Sequence, residues 1–245
     1  MQLISINISN LLSFPYQKNF SQEKKIHFDI HKKWGLNILI WPNGSWKTNF
    51  IEIISQLIKI GLIKDFVYKE NKDNPKESIK ENKRLLENIV PHFSYENQPS
   101  TVDMEFHISQ NDKENMLFLQ KNRELINNII KTYSWIKYTI PECKKEKIMN
   151  LQTLHTQFSV NTKNKTTKII NTQKNKETNF ALNYMKYQEL FQIAIMIYNT
   201  KIKKTNEISR YPLKNTFAHL YNTRNFYHIK KIKNSYNLRD DFIKN

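Results

Sequence analysis

Eight consecutive residues, Trp41-Pro42-Asn43-Gly44-Ser45-Trp46-Lys47-Thr48, carry the groups that a triphosphate needs. An ammonium beside a hydroxyl, where a loop passes into a helix, can neutralise a phosphate while the hydroxyl ligates Mg²⁺. The preceding loop would turn its backbone N–H groups onto the β-phosphate. The spacing matches the phosphate-loop pattern G-x-x-x-x-G-K-[ST], except that tryptophan occupies both outer glycine positions, Trp41 and Trp46. Lys47 is expected to reach the β- and γ-phosphates, and Thr48 to hold the metal. Glycine in such a loop permits positive φ and close approach of the main chain to the anion. A side chain in the left-handed region adds roughly 1–2 kcal/mol of strain. With tryptophan at both positions, the loop is therefore expected to bind nucleotide poorly or not at all.

Such a loop works only between the right neighbours. Leu36–Ile40 is a short β-branched run suited to a strand covered on both faces. Pro42–Ser45 reads as the loop, and Lys47–Ile63 places Phe50, Ile51, Ile53, Ile54, Leu57, Ile58 and Leu62 on a helical stripe. Upstream, Leu3–Ile8 alternates as a strand with Ile4, Ile6 and Ile8 inward, Ser9–Phe14 turns, and Lys25–Ile30 gives a second strand. Beyond Gly61, Lys64–Lys83 is charged and poor in apolar residues; a helix is predicted over Ile79–Val90 and a loop over Pro91–Ser100. Val102–Ile108 alternates as a strand, Asn115–Ile130 is helical, and Phe158–Val160 with Thr167–Ile170 suggests a hairpin. Asn183–Tyr198 is the best helix of the second half. There is no internal repeat and no extended heptad array.

Pro42-Asn43-Gly44-Ser45 followed by Lys47-Thr48-Asn49 resembles the G-P-N-G-S-G-K-[ST]-N loop of SMC, RecF and related ABC-type ATPases. The phrase INISNLLSF, Ile6–Phe14, looks like the first strand and turn of that family, and Gly35-Leu36-Asn37 is similar to its lead-in to the loop. The resemblance covers Met1–Ile63 and, faintly, Thr101–Ile108. It implies an α/β fold: the N-terminal, incomplete portion of an ABC/SMC-like P-loop NTPase head with a helical, polar insertion. Residues 1–63 would supply the N-terminal strands, phosphate loop and first helix, residues 64–100 a charged helical insertion or linker, and residues 101–245 the mixed remainder. The cofactors implied are ATP and Mg²⁺, held by Trp41, Pro42, Asn43, Gly44, Ser45, Trp46, Lys47, Thr48 and Asn49, with Thr48 also on the metal. By the same resemblance Asn10 and Ser13 would approach the nucleotide, and Gln110 would serve as the glutamine that follows a strand. The activity implied is that of an ATPase in DNA repair, genome maintenance or defence, with DNA as a partner and paired heads forming a homodimer in the full-length protein. The alternatives are a nucleic-acid-binding or structural fragment that uses no nucleotide and, more weakly, a transporter subunit, against which INISNLLSF argues.

Hydrolysis in that family also needs an apolar strand ending in Asp-Glu to hold Mg²⁺ and polarise water. No such run occurs: Phe191–Tyr198 ends in Asn199-Thr200, and Asp240-Asp241 follows Arg239. The family's L-S-G-G signature is missing even when every tryptophan is read as glycine. The expectation is a chain that stops before the C-terminal half of the head and does not turn nucleotide over efficiently. Only three glycines occur, Gly35, Gly44 and Gly61, against an average usage of about 7%. Glycine codons read through a table that assigns UGA to tryptophan would explain Trp41, Trp46, Trp34 beside Gly35, and Trp135 in a turn-like context. Decay of a pseudo-enzyme's loop is the competing account, and UGG at codons 41 and 46 would exclude recoding.

The formal charge of +17 suits a nucleic-acid partner. It is carried almost wholly by lysine, with five arginines, so an A/T-rich codon bias accounts for it equally well. Tyr221, Phe226 and Tyr227, interleaved with Arg224, His228, Lys230, Lys231 and Lys233, form a candidate nucleic-acid surface or a half-buried structural segment. The single cysteine, Cys143, excludes an intramolecular disulfide, and no Cys/His spacing suggests zinc. His27 and His31 fall on a strand-to-loop passage, a poor setting for a metal pair. No apolar run approaches the roughly 18–20 residues that span a bilayer, and Met1–Asn10 lacks the form of a secretory signal. The expectation is a cytoplasmic protein with no membrane partner.

Overall fold

The computed structural model describes residues 1–18, 25–29, 46–68, 79–81, 86, 88–133 and 135–202, with Ile60 and residues 199–202 described by backbone alone. Its centre is a five-stranded antiparallel sheet in the order β2-β1-β5-β6-β7, built from β1 (Gln2–Ser9), β2 (Ile26–His27), β5 (Ser100–His107), β6 (Thr153–Asn161) and β7 (Thr166–Asn171). Alternation is strict in β5, where Val102, Met104 and Phe106 are buried and the residues between them half-buried. Leu154, Phe158 and Val160 of β6 share that inner face, as Phe106↔Leu154, Val102↔Phe158 and Ser100↔Val160 are opposed. β1 departs from the predicted alternation. Leu3 opposes Phe106 and Ser5 opposes Glu105, which leaves Ile4 as the extra residue of a bulge. The hairpin predicted around Phe158–Val160 and Thr167–Ile170 is present as β6 and β7. The expected strand over Lys25–Ile30 is seen only at Ile26–His27, with Phe28 N–H donating to Ile4 O at 2.7 Å.

The inner face joins a single buried cluster with the helices α1 (Lys47–Gln56), α2 (Gln110–Lys121), α3 (Arg123–Lys131), α4 (Lys145–Met149), α5 (Lys176–Lys186) and α6 (Gln188–Ile202). Phe50, Ile53, Leu119, Ile126, Phe180 and Phe191 are essentially inaccessible, each such burial contributing roughly 1.5–3 kcal/mol. The stripe predicted over Lys47–Ile63 is inward except at Ile51, which is exposed. The helix changes character after Gln56, continuing as a π-helical segment, Leu57–Leu62. Gly61 lies there against β7. A β-carbon at this position would stand 2.9 Å from Thr167 Oγ1, so any larger residue must displace the Thr167 side chain. α2 opens on a reciprocal cap: Ser109 Oγ accepts from Asp112 N–H while Asp112 Oδ2 accepts from Ser109 N–H at 3.0 Å. The long helix predicted over Asn183–Tyr198 is two helices, broken at Tyr187, whose ring stacks on Tyr138 at 4.3 Å.

The helical insertion expected over residues 64–100 is not what the described residues form. β3 (Phe66–Tyr68) and β4 (Ile79–Glu81) pair antiparallel, with Lys64 and Glu81 bridged at 2.8 Å. Further along, Asn88 takes a positive φ of 56°, which no α-helix accommodates. Leu86 N–H donates to Lys165 O at 3.0 Å, Lys165 Nζ donates to Ile89 O at 2.6 Å, and Leu12 N–H donates to Val90 O at 2.9 Å. Backbone groups that a helix would bond internally are thus bonded to distant parts of the chain. The apolar spacing of Leu86, Ile89 and Val90 suits a helix, yet these long-range partners override it.

Candidate functional site

A helix begins at Lys47, immediately after the predicted phosphate loop. Residues 36–40, expected as the strand leading into that loop, and the loop residues Trp41, Pro42, Asn43, Gly44 and Ser45 lie outside the described residues. Trp46 occupies the cap position with φ −68° and ψ 0°, and its carbonyl accepts the first helical bond, from Phe50 N–H at 2.8 Å. The Trp46 side chain makes no capping hydrogen bond, and the first turn carries no acidic residue. Helix N-termini present N–H donors and the positive end of the macrodipole, a setting that favours an anion. Lys47 and Asn49 are half-buried and Thr48 is exposed, so the hydroxyl proposed for the metal is accessible from solvent.

The left-handed strain expected at Trp46 is absent, because its φ is negative. Its ring meets Phe14 and Phe50 edge-on, each at 5.4 Å between centroids, while Phe28 stacks on Phe50 at 6.2 Å. The indole therefore fastens the start of α1 to the turn after β1. Tryptophan at this position is accommodated as a packing residue, so the geometry at 46 does not itself demand glycine. Trp135 likewise stacks on Phe66 at 6.2 Å and is absent from the left-handed conformations among the described residues.

The supporting residues implied by resemblance are dispersed. Ser13 is exposed in the turn that carries Phe14. Asn10 is fully buried, and its side chain is engaged elsewhere: Nδ2 donates to Tyr95 O and Gln98 O at 2.9 and 2.7 Å, and Oδ1 accepts from His92 N–H at 3.2 Å. Gln110 opens α2 beyond the end of β5 that pairs with Gln2, whereas Trp46 leans on Phe14, beyond the opposite end of β1. Its amide donates to Glu114 Oε1 at 3.3 Å, and it is not brought to Lys47 or Thr48. His27 is exposed on β2; His31 lies outside the described residues, as does the segment 221–233.

A second constellation was not foreseen. On the outer face of the sheet, Ser5, Glu105 and His155 form one cross-strand row and Asn7, Asp103 and Gln157 the next. Ser5 Oγ donates to Glu105 Oε2 at 3.1 Å, and His155 Nε2 lies 3.3 Å from Glu105 Oε1. These residues, with Lys25 and Thr172, border a cavity of about 170 Å³. Burial raises the Asp103 carboxyl above the usual range, opposed by a hydrogen bond from Gln157 and the charge of Lys25. The carboxylate stands between hydroxyl and imidazole, whereas an activated serine needs the imidazole beside the hydroxyl. Among the described residues no group of three His, Cys, Asp or Glu could hold a metal ion. The signal was present in the sequence as the polar alternates of the strands, but only pairing brings them together.

The described residues thus define a mixed α/β protein with a five-stranded antiparallel sheet and six α-helices, in which no helix is long and apolar enough to cross a membrane. Comparison with family models, with curated proteins and with solved structures finds no match for this chain.

Proposed function

We propose that this chain binds Mg·ATP through residues 41–49 as a P-loop protein of the SMC/RecF-like type. The observation that supports it most directly is the position of the helix start. α1, whose first turn carries no acidic residue, opens at Lys47 of the Lys47-Thr48 pair. The donors present fit a phosphate: the Lys47 ammonium, the first-turn amides and the Thr48 hydroxyl. The Trp46 indole packs on Phe14 and Phe50. In this reading Lys47 neutralises the β- and γ-phosphates, Thr48 ligates Mg²⁺, and residues 41–45 contribute main-chain N–H groups. Mg²⁺ supplies charge neutralisation across the phosphates when bound. The pairing of heads and a role in DNA repair, genome maintenance or defence are part of the same proposal and follow from the resemblance alone. Because no apolar run ends in Asp-Glu, the proposal is nucleotide binding rather than rapid turnover.

The test is equilibrium binding of a fluorescent ATP analogue with and without Mg²⁺. The chain as written is expected to bind weakly, and the Trp41→Gly, Trp46→Gly variant at least about tenfold more tightly, since close main-chain approach is restored at two positions. Lys47→Ala in either background should abolish the signal. Binding that persists in Lys47→Ala, or none in the double-glycine variant, overturns the proposal.

A further inference from the structure

We infer that the groove between the loop of residues 91–99 and the end of the β6–β7 hairpin is a binding site for single-stranded nucleic acid. It is independent of the phosphate loop. The groove encloses about 470 Å³ and is floored by the outer face of the hairpin, where Ser159 opposes Lys168 and Asn161 opposes Thr166. Lys163, in the hairpin turn, extends the same wall. Among the described residues, Lys163 and Lys168 are exposed and form no ion pair, and the only carboxylate on the lining is Glu96. Two ammonium groups with several hydroxyl and amide donors form a surface complementary to a phosphodiester backbone.

The loop that lines the groove through Glu96, Gln98 and Pro99 also carries aromatic side chains. Phe93 is 81% exposed, the most exposed large apolar side chain among the described residues, and Tyr95 is also exposed. Phe93 stacks on His92 at 4.4 Å, and Tyr95 lies 5.7 Å from the same imidazole and 5.8 Å from Tyr16. An aromatic row left in water is costly for a lone domain and useful for stacking unpaired bases. The loop is held in place. Asn10 bonds to His92, Tyr95 and Gln98, while Tyr95 N–H donates to His92 O and Gln98 N–H to Tyr95 O at 2.9 and 3.0 Å. The aromatic rings are therefore presented on an ordered support, in the same loop that contributes Glu96, Gln98 and Pro99 to the groove. Gln98 and Pro99 line the groove itself, so the loop is continuous from the rings to the lysines. Stacking needs bases free of a duplex, which is why the occupant is single-stranded.

The test is fluorescence anisotropy of the full chain with a labelled oligothymidylate and with a duplex of equal length, over a range of salt. Lys163→Glu/Lys168→Glu is compared with Lys121→Glu/Lys131→Glu, which makes the same charge change on the exposed surface of α2 and α3. The groove variant is expected to weaken oligothymidylate binding at least about tenfold and to lower the log–log salt slope by about 1.4, for two phosphates released. The α2–α3 variant should lie within about twofold of the parent. Phe93→Ala should weaken oligothymidylate at least about fivefold and leave duplex affinity unchanged, with an unaltered thermal melt. Lys47→Ala should have no effect, which separates this site from the nucleotide proposal. Equal losses in the two charge variants, an unchanged Phe93→Ala, or no oligonucleotide binding overturns the inference.

Discussion

Asn10→Ala probes the joint between the first strand and the aromatic loop. Asn10 is fully buried at φ 58°, and three hydrogen bonds join its side chain to backbone groups of His92, Tyr95 and Gln98. Its own carbonyl accepts from Ser100 Oγ at 2.7 Å, a bond that side-chain truncation leaves in place. Removing three bonds at about 1 kcal/mol each costs about 3 kcal/mol. Alanine also tolerates positive φ less well than asparagine, adding on the order of 1 kcal/mol. The expected loss is therefore about 4 kcal/mol, a large fraction of the roughly 5–15 kcal/mol typical of a domain. Asn10→Gly loses the same bonds without the backbone cost and should be more stable than alanine by on the order of 1 kcal/mol. Asn10→Asp keeps the acceptor for His92 N–H but sets an oxygen against two carbonyl oxygens, so it should do no better than alanine. Urea denaturation followed by circular dichroism gives the values. A loss below about 1 kcal/mol for alanine, or glycine less stable than alanine, refutes the reasoning.

Two further outcomes are expected of the fold. Gly61→Val should destabilise by about 2 kcal/mol, because a β-carbon there falls 2.9 Å from Thr167 Oγ1; denaturation of Gly61→Val, Thr167→Ala and the double variant should show partial recovery in the double. For Asp103, burial lifts the folded carboxyl above the ordinary value of 3.8. The folded state then holds the proton more tightly, so this group's contribution falls as pH rises from 3.8 through the folded value, and the deficit remains at neutral pH. Asp103→Asn should remove that fall. The difference in unfolding free energy, parent minus variant, should decrease between acid and neutral pH, and an increase would contradict the assignment.

Much of the sheet was legible because its instructions are local. Val102, Met104 and Phe106 alternate within one strand, and burying every second residue needs no knowledge of the rest of the chain. The stripe from Phe50 to Leu62 likewise names its helix, and the Lys47-Thr48 pair marks where that helix starts. What the residues could not declare are partners far away in sequence. Leu86, Ile89 and Val90 have helical spacing, yet their backbones bond to Lys165 and Leu12. The resemblance places Asn10 near a nucleotide, whereas tertiary folding assigns its amide to a loop more than 80 residues on.

By itself, then, the sequence determined where β5 alternates and where α1 begins. Only the tertiary structure decided that Trp46 turns its ring onto Phe14 and Phe50, that Ser5, Glu105 and His155 share a row, and that Lys168 faces a groove walled by Gln98. The physical reason is range. Periodicity and capping act over a few residues, whereas pairing register, aromatic packing and charge neighbourhoods depend on which distant segments the core brings together.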